Sequence, residues 1–152
     1  MTNNEIELII YCRDRSDACL GLLDTASHLF PRQSIHLYRT CGEFTACMDT
    51  PGMSEKIAVI LIQMPGELEG FLTKRDRLRR HLFVLVLPHT GQDLMIPALT
   101  LRPRYIGTIQ DKFTDVYQVL EKLTIHHTRR ITYDRDYGNN SLGDKNHDHG
   151  NR

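Results

Sequence analysis

The chain has no net charge and no apolar run of membrane-spanning length, and each absence removes a class of function. Nineteen Lys and Arg balance nineteen Asp and Glu, for a formal net charge of +0. No global field therefore draws the protein toward nucleic acid or an anionic membrane surface. A bilayer span needs roughly 20 consecutive apolar residues, and the longest apolar stretches, such as LFVLVLP (82–88), are far shorter. The opening MTNNEIE is polar and acidic, unlike the basic and then apolar start of a secretory signal. These features lead to the expectation of a cytoplasmic protein with no membrane partner.

Glycine-rich phosphate loops are also missing. PGELEG and HTGQD lack the spacing of a dinucleotide fingerprint or a P-loop. The charged, glycine-free CRDRSD after the first apolar segment argues against a flavin phosphate site. No cofactor is expected. Four cysteines, Cys12, Cys19, Cys41 and Cys47, show no C-x-x-C pair and lie in or beside apolar patterns. They read as reduced thiols acting as small core residues.

What is present is an alternation of strand and helix signals over 152 residues, enough for one domain with a full core. IELIIYC (6–12), SIHLYRT (34–40), KIAVILIQ (56–63), LFVLVLP (82–88) and RYIGTI (104–109) read as five strands. The continuous apolar runs suit strands covered on both faces. Ser16 is an expected N-cap before Cys19, Leu22, Leu23, Ala26 and Phe30 at helical spacing, with Pro31 as a stop. Thr40 and Glu43 form a T-x-x-E cap ahead of Phe44, Cys47 and Met48. One helix is expected to carry Leu68, Phe71, Leu72 and Leu78. GQDLMIPALTLRP (91–103) can hold one short helix provided Pro97 falls in its first turn, and a last helix aligns Val116, Val119, Leu120 and Leu123.

Five strands interleaved with five helices by short loops predict an α/β fold with a parallel sheet and helices on both faces. Beyond about Arg129 the composition turns to Asp, Asn, Gly, Arg and His. Residues 1–128 are therefore expected to form the domain and 129–152 a polar, largely disordered tail.

The element order and the stretch Met64-Pro65-Gly66, followed by Gly70, resemble the receiver domain of bacterial two-component response regulators. The resemblance spans about Ile6 to Ile125 and is supported by RPRYIG before the fifth strand. It implies a flavodoxin-like three-layer (βα)5 fold with strand order 2-1-3-4-5. Receivers place an acidic pair after the first strand for Mg²⁺ and a phosphoacceptor aspartate ending the third. A Thr or Ser ends the fourth strand and a Lys the fifth. Phosphoryl transfer to a carboxylate requires a cation to neutralise the developing charge.

At the matching positions this chain differs. The acceptor position falls on Leu61 or Gln63, and the acidic pair on Tyr11-Cys12 or Cys12-Arg13. Asp14 is near, but Arg13 and Arg15 flank it and disfavour a second cation. The switch position is Pro88 or His89, with Thr90 one step on. Thr108 or Gln110 stands where Lys belongs, with Lys112 as a displaced remnant. The residues therefore describe a pseudo-receiver that keeps the scaffold without the phosphoryl chemistry, so an enzyme is not expected.

By the same resemblance, signalling would run through protein–protein contact on the face over Leu94 to Ile125, with Tyr105 and Tyr117 as candidate contacts. A histidine kinase, a regulator or a second copy in a homodimer are the implied partners. Two alternatives stand beside this reading. One is a divergent receiver phosphorylated at a displaced carboxylate such as Asp14. The other is a small-molecule sensor using a crevice lined by Cys12, Gln63, His89 and Thr108. TKRDRLRRH (73–81) carries five basic residues and one Asp, but without interleaved aromatics it reads as a solvated helix side. No nucleic-acid partner is expected. His126-His127 and HDHG (147–150) read as solvated residues rather than a metal site.

Overall fold

A computed structural model describes residues 6–52, 55–111 and 113–125. The proposed tail (129–152), Lys112, His126-His127 and HDHG lie outside the described residues. The chain divides into two compact units, Met1–Val119 and Leu120–Arg152. The first holds all five strands. Of the second, residues 120–125 are described, and they are helical.

Within the first unit the strands are β1 (Ile6–Cys12), β2 (Ile35–Tyr38), β3 (Glu55–Leu61), β4 (Leu82–Leu87) and β5 (Tyr105–Thr108). They form one parallel sheet in the order β2-β1-β3-β4-β5. This is the predicted α/β fold, and the topology is consistent with a flavodoxin-like fold. The central strands β1, β3 and β4 run with almost no solvent contact because helices cover both faces. Alternation along β3 sorts the side chains. Ala58, Ile60 and Ile62 join Ile9, Phe83 and Leu85 in the core on one face, while Ile57, Val59 and Leu61 point to the other.

The first of these faces is covered by α2 (Cys41–Asp49), α3 (Glu67–Leu72), α4 (Arg75–Leu78) and α5 (Gln92–Thr100), which contribute Phe44, Met48, Leu68, Phe71, Leu78, Leu94 and Ala98 to the core. The other face receives α1 (Asp17–Ser27) through Cys19, Leu22 and Ala26 and the start of the helical stretch 114–125 through Val116. Phe113 crowds Gly21 on α1, and a Cβ there would lie 3.2 Å from the ring. Val116 approaches β5 closely at Gly107.

The caps form as the sequence predicts. Ser16 Oγ accepts from Cys19 N at 3.2 Å, and Thr40 Oγ1 accepts from Glu43 N at 3.1 Å. Each satisfies an amide that the first helical turn leaves open. All four cysteines are free thiols. Cys12 and Cys19 are buried, whereas Cys41 and Cys47 are only half-buried.

Two helix expectations need correction. The single helix expected after Gly66 is two, α3 and α4, broken at Thr73 and Lys74. Gly70 and Thr73 are poor helix formers, and the Thr73 hydroxyl donates to the Gly70 carbonyl at 2.7 Å, closing the turn locally. Pro97 is the sixth residue of α5 and so sits in its second turn rather than its first. Its missing N–H would have bonded the carbonyl of Asp93, an exposed residue whose carbonyl can turn to water.

At the end of α5 the chain turns at Arg102, which has φ 57° in the left-handed region, and its N–H bonds the Leu99 carbonyl at 3.1 Å. Glycine is the usual residue at such a helix end, because a side chain there costs about 1 kcal/mol. Arg102→Gly should raise unfolding free energy by about 0.5–1 kcal/mol. Urea denaturation checks this, and a loss of stability would show that the arginine side chain holds the turn.

Candidate functional site

The carboxyl ends of parallel strands are where open α/β sheets place ligands. Here the pairing register brings Cys12 beside Leu61, Leu61 beside Val86, and Leu87 beside Thr108. Leu61 is wholly buried with its side chain in the core, so it offers nothing to the crevice. Beyond the strand end, Ile62 N donates to the Val86 carbonyl at 2.8 Å and carries the chain one step further to Gln63. The residue facing the β1–α1 loop is therefore Gln63.

Gln63 is bonded at both ends of its amide. Its Oε1 accepts from the Asp14 backbone N–H at 3.1 Å. Its Nε2 donates to Ser16 Oγ in a short hydrogen bond. The same Ser16 oxygen caps α1, so one side chain joins the end of β3, the β1–α1 loop and the first turn of α1. The Cys12 thiol completes this side, donating to the Asp14 carbonyl at 2.9 Å and lying 3.7 Å from Gln63 Oε1. Burial, and then the contact with Cys19, push the Cys12 thiol well above its ordinary pKa. It stays protonated and is a poor nucleophile.

A carboxylate is present in the crevice, but it is Glu67, the first residue of α3. Its Oε1 accepts from the Tyr11 hydroxyl at 2.9 Å. Its Oε2 accepts from the backbone N–H groups of Gln63 at 3.2 Å and Met64 at 2.7 Å. One oxygen thus serves the β3–α3 turn and the other ties it to β1. Tyr11 is aimed at Glu67 by an aromatic trio. Its ring meets Phe71 edge-on at 4.8 Å and Phe44 at 6.3 Å, while Phe44 and Phe71 lie 5.8 Å apart. Such edge-to-face pairs add about 0.5–1.5 kcal/mol beyond area burial, so the ring is firmly placed.

The side chains at the remaining predicted positions do not converge on this network, although the Asp14 backbone does. Arg13 and Asp14 are exposed, and Pro88 is half-buried at the end of β4. His89 Nδ1 accepts from Gly91 N at 3.0 Å, which makes it a local turn residue leading into α5. Thr108 is buried at the end of β5, Thr90 and Gln110 are exposed, and Lys112 lies outside the described residues. Among the described residues no three His, Cys, Asp or Glu side chains are grouped as a metal site. Cys12, Gln63 and Ser16 are brought together, and Glu67 and Tyr11 form the second half of the site.

On the α5–β5 side, Tyr105 is half-buried and its hydroxyl donates to Asp115 Oδ2 at 3.1 Å; Tyr117 is also half-buried. The exposed apolar groups there are Ile96 and Leu99, at 62% and 60% exposure, which sequence reasoning missed. Their spacing of three on a helix was a usable signal. No family model matches the chain, and no curated protein or solved structure matches it at a significant level.

Two outcomes test this geometry. Because Gln63 and Ser16 share a hydrogen bond, Gln63→Ala and Ser16→Ala should each cost about 1–2 kcal/mol and be non-additive by about 0.5–1 kcal/mol in a double-mutant cycle. Strict additivity would show that the two side chains do not interact. The second outcome concerns Tyr11, whose phenol is raised above its ordinary pKa by burial and then by the hydrogen bond to Glu67. The unfolded phenol ionises near pH 10 and the folded one later, so the stabilisation is complete below that pH and is lost as pH rises past it. Tyr11→Phe should flatten part of the alkaline fall in stability. An unchanged slope would remove Tyr11 from the account.

Proposed function

We propose that the chain is a non-catalytic signalling module, a pseudo-receiver that works by protein–protein contact. The observation that carries this reading is the amide of Gln63 at the end of β3, bonded to Asp14 N and Ser16 Oγ. An amide has no anionic oxygen to attack phosphorus, and it has no charge to help hold a divalent cation. Glu67, the carboxylate beside it, already accepts three hydrogen bonds. Three of its roughly four acceptor sites are thus taken by the chain itself, which leaves it poorly placed as a metal ligand or acceptor.

Contact rather than chemistry is then the means of signalling. Ile96 and Leu99 supply adjacent exposed apolar side chains on α5, and aliphatic residues so placed favour burial against another protein. The partner in this reading is a protein of a two-component-like system, such as a histidine kinase, a regulator or a second copy, in the bacterial cytoplasm. Among the described residues no helix is long and apolar enough to cross a membrane.

Incubation with acetyl phosphate and Mg²⁺, read by intact mass and by amide NMR, tests the proposal. The expected result is no phosphoryl adduct and no shift at Gln63, Asp14 or Glu67, with the same outcome for beryllofluoride. A stoichiometric, hydroxylamine-labile adduct at Asp14 would overturn it in favour of a divergent phosphorylatable receiver.

A further inference from the structure

At the opposite side of the sheet from β5, strand β2 is an edge. It pairs with β1 on one side, and among the described residues no strand pairs with its outer side. Its four residues, Ile35–Tyr38, are all half-exposed. Alternation sends Ile35 and Leu37 to the α1 face and His36 and Tyr38 to the other.

Each pair opens onto its own cleft. Ile35 and Leu37 line a cleft of about 530 Å³ with Leu23 and Phe30, flanked by Arg15 and Arg32. Asp24 is on the same wall, so the charged lining is net positive by one (two arginines, one aspartate). His36 and Tyr38 line a second cleft of about 430 Å³ with Lys56 and Glu7. Glu7 Oε1 lies 3.4 Å from His36 Nε2, and Lys56 caps the end of α2 through the carbonyls of Cys47 and Thr50 at 2.7 and 2.6 Å. Two clefts that share one unpaired strand are what an added strand requires. Main-chain bonds supply affinity, and alternate side chains enter alternate pockets.

Charge selects the occupant. Arg32 precedes β2 and Arg39 follows it; both are exposed, and with Arg15 they make no ion pair among the described residues. A second copy pairing antiparallel about a two-fold axis would bring Arg32 of one chain toward Arg39 of the other at both ends. Basic residues beside an edge strand oppose such self-pairing. An acidic strand meets the same arginines with attraction.

We infer that the outer edge of β2 is a docking strand for an extended acidic segment of a partner protein. Its alternate apolar side chains enter the Leu23–Phe30–Ile35–Leu37 cleft, the acidic residues between them face His36 and Lys56, and acidic residues at its two ends meet Arg32 and Arg39. This surface meets the Gln63 crevice at Arg15 of the β1–α1 loop but uses none of the crevice's hydrogen-bonding groups, and it stands whether or not the chain takes up phosphate.

The test uses the full chain and a fluorescein-labelled peptide, Val-Glu-Val-Glu-Val-Glu, beside its lysine counterpart. In fluorescence anisotropy the glutamate peptide should bind at least tenfold tighter than the lysine peptide. Amide NMR shifts should centre on residues 35–38, Leu23 and Phe30. The exposed double substitution R32E/R39E should weaken binding tenfold or more with no change in thermal unfolding. L37K, which puts a charge in the apolar cleft, should do the same by a separate route. Equal or absent binding of the two peptides, or shifts centred elsewhere, would overturn the inference. So would self-association through β2 in place of peptide binding, which would make a second copy the occupant.

Discussion

The hydrogen bonds of one neutral amide set the character of this molecule's strand-end crevice. Gln63 presents an acceptor and a donor on adjacent atoms, and the β1–α1 loop offers their complements, the Asp14 N–H and the Ser16 oxygen. A carboxylate at this position would offer only acceptors. The amide matches both partners, so the β1–α1 loop closes on groups the chain itself supplies.

The same logic explains why the surroundings are aromatic. Glu67 can hold the β3–α3 turn only while the Tyr11 hydroxyl occupies its other oxygen. Tyr11 stays in place because Phe44 on α2 and Phe71 on α3 pack edge-on against its ring. The crevice is thus coupled to the core on the α2–α5 face, and two helices share in positioning one carboxylate. Loss of the ring contacts would free a charged group in a half-buried position, a larger penalty than the loss of a single surface hydrogen bond.

How much of this was legible in the sequence depended on how local the signal was. The strands and the caps at Ser16 and Thr40 follow from apolar runs and from spacings of three, and the structure reproduces them. The parallel order β2-β1-β3-β4-β5 was expected from the resemblance to receivers and not from any local signal, and the sheet has it. Gln63 could be singled out by its place at a strand end, but its two partners could not. Glu67 was unreadable as a site residue, since its role depends on Tyr11, fifty-six positions earlier, arriving across the sheet. The break between α3 and α4 and the place of Pro97 were missed for a similar reason. The break depends on the Thr73 hydroxyl turning back to the Gly70 carbonyl, and Pro97 on an Asp93 carbonyl that faces water, and neither is visible before the chain is folded.

A scaffold whose crevice is closed by its own side chains must draw any switching energy from somewhere else. A ligand shifts a conformational equilibrium only by the difference in its affinity for the two states. In the proposed reading no phosphoryl group supplies that difference at the strand ends, so it has to arise where another protein touches the surface. The two flanks of the sheet differ in what they offer such a protein. The α5 flank presents Ile96 and Leu99, side chains without hydrogen-bonding direction, which reward burial but discriminate little. The β2 flank presents unpaired backbone between Arg32 and Arg39, which sets direction, register and the sign of the partner's charge. In the proposed reading specificity would rest at β2 and added affinity at α5, and a partner that spanned both would bridge the two flanks of one sheet across β1, β3 and β4.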